Sequence, residues 1–408
     1  MNSIVANALP ACRICGSPRI VRRLDFGPQP ICNRFLTRRD EAEERFPLAL
    51  MQCEACGVLQ LERVPPPDAL RPRYEWITYR EAEAHLDQMV EDAIAASGIG
   101  PDARVIGSNY KDASTLERFR SRGFSRASMI EPRRHLGVDS DRAEIETVQE
   151  RLTEDRMRDL AAREGPADLV IMRHVIEHTH DIHRFARAVR ALTRPGGCVV
   201  FEVPDFAPSL KHFDYSTLWE EHVYCFTPAT LPATCARLGF EVLRVENYAY
   251  PIENALVVMV RVPDVLAPRA AAPLDLNREL VLGRAYGEQL PVIAARLRAY
   301  LDDFSRTVGP VALFGAGHLT CKFVNFMGIA DRVRFVADGD PKKIGLFMPG
   351  SRLPIVHPDE LERQGIRLCL LGLSAESEAR VREVFKSFTE RGGRFASISP
   401  ISPTRLQF

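Results

Sequence analysis

Glu220, Glu221 and His222 follow one another in the stretch STLWEEHVYCF, with Trp219 on one side and Tyr224 and Phe226 on the other. An imidazole titrates near neutrality, and an adjacent carboxylate can orient and activate it as a base. The competing reading is a connecting segment whose two glutamates face water. The flanking rings, and a position just after an apolar strand, weigh towards proton chemistry. A second concentration of titratable groups is RHVIEHTHDIH, which holds His174, His178, His180 and His183. Histidines so spaced can ligate metal, but the order HExxH is missing. His174 and His178 are expected to line a crevice at the carboxyl end of a strand and to contact bound ligands, with His180 and His183 exposed.

The cysteines divide into two groups. Cys12 and Cys15 form CRIC, Cys53 and Cys56 form CEAC, and Gly16 and Gly57 follow as the flexible residue such knuckles favour. Two such turns supply four soft ligands for tetrahedral zinc. The alternatives are four unrelated cysteines or a redox pair. Four thiolates leave no position for water, so the metal is expected to be structural. Cys32, Cys198, Cys225, Cys235, Cys321 and Cys369 are scattered and are expected to be small core residues.

Two glycine loops complete the candidate chemistry. Gly107-Ser108-Asn109 ends a short apolar run, and Glu131 ends the next one. In a nucleotide-binding fold the loop after the first strand and the acid after the second meet one ligand. No second or third glycine follows here, and Glu131 could equally be a solvated turn residue. Further on, FGAGH carries Gly315 and Gly317, and Asp338 ends the following strand, a second phosphate-and-ribose pattern.

These residues need elements to hold them. The 408 residues exceed one ordinary core, so several domains are expected. An apolar fraction of 46% and a charged fraction of 26% are those of a globular protein. Lys plus Arg, 54, balances Asp plus Glu, 54, which gives no field to attract nucleic acid or an anionic membrane. No apolar run reaches bilayer length and no secretory pattern opens the chain, so a cytoplasmic location is expected. From residue 103 strand, loop and helix alternate, which reads as a doubly wound parallel α/β sheet. A polar helix is expected over 143–163. Two Pro-rich stretches, 64–72 and 262–276, mark boundaries. A long amphipathic helix is expected around 277–307, followed by a smaller Rossmann-like unit. The resulting division is 1–72, a zinc-binding cap; 73–265, a central sheet; and 266–408, a C-terminal sheet.

Taken together these stretches resemble the sugar C-methyltransferase family, over nearly the whole chain and in the same order. The resemblance is carried by CRICG, FGPQPICNRF and CEACGVLQL, by RYEWITYREAEAH, by IGSN and IEP, by ADLVIMRHVIEHTHDIHRF, by FDYSTLWEEHVYCF, and by VADGDPKKIGLFMPGSRLPI with HPDEL. It implies a class I methyltransferase sheet that binds S-adenosylmethionine through Gly107, Ser108, Asn109, Glu131 and His174. It implies a nucleotide-linked 4-keto deoxy-sugar between the central and C-terminal domains, and favours a monomer. By the same match His222 is the base, Glu221 its partner, and His178 and Tyr74 belong to the catalytic pocket. Trp76, Trp219, Tyr224, Gly315, Gly317, Asp338 and Lys342 are then substrate contacts. The chain departs from the family pattern in places: VIGSNYKDAS lacks the Glu before the loop and the closing Gly, and Trp219-Glu220 replaces Tyr-His. PIEN stands for H-G-G-S, and GAGHLTCK for G-x-G-A-P-A-K-G. Three readings follow: the methyltransferase, an epimerase or isomerase that uses His222 without the methyl donor, and a non-catalytic sugar-nucleotide-binding homologue.

Overall fold

The computed structural model describes residues 11–74, 82–264 and 274–408. Three sheets follow the chain. The first is antiparallel and runs β1 (Ile20–Pro30), β2 (Arg45–Cys53), β3 (Leu59–Leu61), and then β8 (Tyr224–Cys225). That last strand comes from far downstream, with Leu59 opposite Cys225 and Gln60 opposite Tyr224. The segment after His222 is therefore a strand of the N-terminal sheet and not a plain strand-to-helix connection.

The second sheet has the order β5 (Ala127–Met129), β4 (Val105–Gly107), β6 (Ala167–Arg173), β7 (Thr193–Pro204), β10 (Ala255–Arg261), β9 (Glu241–Tyr248). Its first four strands are parallel, whereas β10 is antiparallel to both β7 and β9. The expected all-parallel sheet thus ends in a hairpin, because the six-residue connection 249–254 is too short for a crossover and reverses the chain. Apolar residues fill both faces: Val170 and Met172 of β6 pack to one side, Leu169 and Ile171 to the other. Burial on both faces is what a near-continuous apolar strand requires. The expected 143–163 helix is two helices, Ile145–Arg151 and Glu154–Glu164, because the Thr153 side chain caps the second.

The third sheet is fully parallel, in the order β13 (Ile355–Val356), β12 (Val336–Ala337), β11 (Val311–Phe314), β14 (Leu368–Leu371), β15 (Arg394–Ser397). The preceding helix, Leu276–Thr307, lies against the N-terminal sheet. A Cβ on Gly287 would stand 2.3 Å from the Arg23 carbonyl oxygen, so glycine permits this contact. Gln52 Nε2 donates to the Glu279 carbonyl at 2.7 Å, and Tyr215 and Tyr286 donate to the carbonyls of Tyr286 and Asp214. One hydrophobic core runs through all three modules, joining Leu50 and Leu59, Phe206 and Tyr215, and Leu297 and Leu313. All six scattered cysteines are buried. Among the described residues no helix is long and apolar enough to cross a membrane.

Candidate active site

The four paired cysteines converge. Cys12 and Cys56 Sγ are 3.7 Å apart and Cys15 and Cys53 Sγ 3.6 Å, with all four sulfurs within 4.8 Å of one another. Gly16 and Gly57 close the two turns at φ 68° and 74°, donating to the carbonyls of Cys12 and Cys53. Gln60 Nε2 donates to Cys12 Sγ at 3.2 Å and the Ala55 amide to Cys53 Sγ at 3.4 Å, as the outer shell of a thiolate site does. The donor set fits a structural zinc ion.

His222 lies where the modules meet. Its ring stacks on Trp219, with centroids 5.1 Å apart, and meets His178 edge-on at 4.8 Å. Trp219 also touches His318, the first residue of the helix His318–Met327 of the C-terminal module. Glu220 turns away and pairs with Lys322 of that helix, and it accepts from the Cys32 amide at 2.6 Å. Both members of this pair are buried. Glu221 accepts from Asn33 Nδ2 at 3.1 Å. Burial, reinforced by Glu146 and Glu220, pushes its carboxyl well above the usual carboxylate range. The carboxylate grouped with His222 is that of Glu177, while Glu221 groups with Glu146 and His178.

His178 is carried by the turn Ile176–His178, which leaves β6 through His174 in the left-handed region, φ 54°. Its Nδ1 lies 2.9 Å from Glu146 Oε1. Burial works to raise the Glu146 pKa, but hydrogen bonds from His178 and His180 hold it below the ordinary value. His180 is half-buried, and the exposed His183 reaches the Ile14 carbonyl of the first zinc turn.

At the carboxyl edge of the central sheet, Ser108 and Asn109 follow β4 and Glu131 follows β5. A Cβ on Gly107 would come within 2.8 Å of Asp112 Cβ, so this glycine admits the loop's own acid. Asp112 accepts from the amides of Ser108, Asn109 and Arg173. Burial raises its pKa to about 6 against the pull of Arg173 and Ser108. Arg173 Nε donates to Glu202 Oε2 at 2.8 Å, and His174 and His85 stand 3.3 Å from the same carboxylate. Burial opposes the charge on Glu202, yet these neighbours keep its pKa well below the ordinary range. Arg173 Nη2 is buried and has no hydrogen-bond partner among the described residues. The exposed Glu131 after β5, beside the loop that follows β4, fits the ribose of S-adenosylmethionine.

In the C-terminal module Asp338 accepts from the Ala316 amide at 2.7 Å, and Lys343 Nζ bridges Asp338 and the Ala316 carbonyl. Gly315, at φ 95°, would place a Cβ 2.8 Å from the Gly372 carbonyl oxygen, whereas Gly317 faces open space. Lys342 is exposed, with its amide donating to Asp340, and it is Lys343 that reaches Asp338. Tyr224 departs from expectation: as a strand residue of β8 it is buried against Phe226, inside the core beside the zinc module. Tyr74 is half-buried against the shared core, and Trp76 lies outside the described residues. Sequence reasoning had not singled out Glu146, Glu177, Arg173, Glu202, Lys343 or Lys322. A signal existed for Glu177, which directly precedes His178, and for Lys343, which follows Lys342, but none for Glu146, Arg173, Glu202 or Lys322, whose partners are distant in the chain.

Comparison with known proteins adds independent observations. Residues 12–70 match a zinc binding domain, residues 96–245 a methyltransferase domain, and residues 275–400 a C-methyltransferase C-terminal domain. The three matches together give a zinc-binding N-terminal domain, a class I methyltransferase domain and a C-methyltransferase C-terminal domain, in that order. The chain is 28% identical to the C-methyltransferase NovU of Streptomyces niveus, covering 98% of each chain. With these domains and the four-thiolate cluster it is an S-adenosylmethionine-dependent methyltransferase with a structural zinc site. Similar solved structures include the 1,6-didemethyltoxoflavin-N1-methyltransferase of Burkholderia thailandensis, at 14% identity and a TM-score of 0.30, over 45% of this chain and 80% of that one. A methyltransferase of Anabaena variabilis aligns at 13% identity and a TM-score of 0.28, over 44% and 86%.

Proposed function

We propose that this C-methyltransferase methylates the carbon beside the ketone of a nucleotide-linked 4-keto deoxy-sugar, with His222 as the base. The observation that supports this most is the place of His222, half-buried between Trp219 and His178 where the three modules meet. A C–H bond next to a ketone becomes acidic only when charge on the oxygen is stabilised, and a near-neutral imidazole suits its removal. S-adenosylmethionine, when bound, supplies an electrophilic methyl group. Glu131 and the loop after β4 would hold it at the carboxyl edge of the central sheet. His222 takes the alpha proton, and the electron pair left on carbon would take up the methyl group as its bond to the sulfonium sulfur breaks, leaving S-adenosylhomocysteine. His178 keeps Nδ1 on Glu146, which leaves its other ring nitrogen to the ligand. Trp219 gives the sugar a flat wall, and His318 sets the orientation of that indole.

The test is deuterium wash-in next to the ketone of a nucleotide-linked 4-keto-6-deoxy sugar, in the presence of S-adenosylhomocysteine. His222→Gln should lose wash-in and methyl transfer by about 10²- to 10⁴-fold. Calorimetric binding of S-adenosylhomocysteine should persist. Wash-in at the wild-type rate in His222→Gln would sink the proposal.

A further inference from the structure

Glu177, His178 and His222 each offer one ligand atom, and the three atoms lie within 4.8 Å of one another. Ligands around a tetrahedral zinc ion, with bonds of ~2.0 Å, stand about 3.3 Å apart. Small side-chain rotations close that difference. Glu146 Oε1 already holds His178 Nδ1 at 2.9 Å. A ligating histidine typically gives one ring nitrogen to such a carboxylate and the other to the metal.

Glu177 supplies an independent observation. It is 1% exposed, and neither carboxylate oxygen accepts a hydrogen bond from any described residue. Its nearest basic contact is His174 Nδ1, 3.3 Å from Oε1. A buried carboxylate without donors is costly, and a cation is the ligand that satisfies it. The half-buried His222 leaves the cluster open on one side.

We propose that Glu177, His178 and His222 form a second metal site, distinct from the four thiolates, for a first-row divalent cation. Two imidazoles and one carboxylate suit zinc or cobalt and do not suit magnesium or calcium, which take oxygen ligands. The functional consequence rests on the reading of His222 as the base. An ion on its ring occupies the lone pair that accepts the proton, so filling the site inhibits methyl transfer.

The experiment uses the full chain with zinc on the thiolates, titrated with Co²⁺. One further equivalent should bind and give the visible bands of a nitrogen- and oxygen-ligated ion, without thiolate charge-transfer absorption. Glu177→Gln and His178→Asn should abolish those bands while retaining the thiolate zinc and the native circular dichroism. Methyl transfer should fall in proportion to the bands and return on adding a chelator that spares the thiolate zinc. Absence of the second equivalent, or bands that survive both substitutions, overturns the site. Unchanged turnover as the bands grow overturns the role of His222 in it. Loss of wash-in in cation-free His222→Gln reports on the base alone, so the two proposals fail separately.

Discussion

Glu221 sits where a negative charge is least welcome. It is buried, two carboxylates lie nearby, and Asn33 is its one hydrogen-bond donor among the described residues. A carboxyl whose pKa rises on folding contributes stability below its unfolded value, about 4.3, and loses it as pH climbs through the folded value. Glu221→Gln should match the wild type in mild acid and become the more stable protein as pH rises, read as Tm across a pH series. A constant Tm difference would show that Glu221 titrates normally. Glu220 has the opposite character, since Lys322 compensates it inside the protein. Burial lowers the lysine pKa, but Glu220 outweighs it and the net shift is upward. Removing one partner strands the other, so Lys322→Met should cost about 3–5 kcal/mol in denaturant unfolding. Adding Glu220→Gln should recover most of that loss. Equal instability of the single and double variants would argue that packing, and not charge, holds this joint.

The long helix Leu276–Thr307 makes its tightest contacts through two glycines one turn apart. A Cβ on Gly287 meets the Arg23 carbonyl, and a Cβ on Gly283 meets the Gln52 side chain at 2.5 Å. In an open helix glycine to alanine stabilises by about 1 kcal/mol. Here Gly287→Ala should instead destabilise by about 1–3 kcal/mol, because a backbone atom must move. Gly317→Ala, with nothing within 4 Å, should leave stability unchanged. Urea midpoints of the two variants make the comparison. This helix was legible in the sequence because its apolar spacing is local, and the same holds for the strands of the central sheet and for the zinc turns. What escaped reading depends on distant partners. The two residues of β8 are too few to carry a period, and their pairing with β3 is set by tertiary contact. Lys342 and Lys343 are equivalent in composition, and only the turn around Asp340 decides which one reaches Asp338. Glu177 was visible beside His178, but its lack of hydrogen-bond donors is a property of packing.

Across the whole molecule the zinc module and the candidate base are mechanically joined. Cys53 ends β2, β2 pairs with β3, and β3 pairs with β8, which begins two residues after His222. Cys53→Ser should therefore lower zinc content, lower Tm, and also weaken the wash-in that depends on His222. Full wash-in from a zinc-free, folded protein would separate the two sites. The same linkage has a consequence during synthesis. The outer edge of β3 has no strand to cover it until residues 224 and 225 leave the ribosome, so the first sheet stays incomplete through most of translation of the central domain. A nascent chain halted before that point exposes an uncapped β edge, the kind of surface on which chains stick to one another.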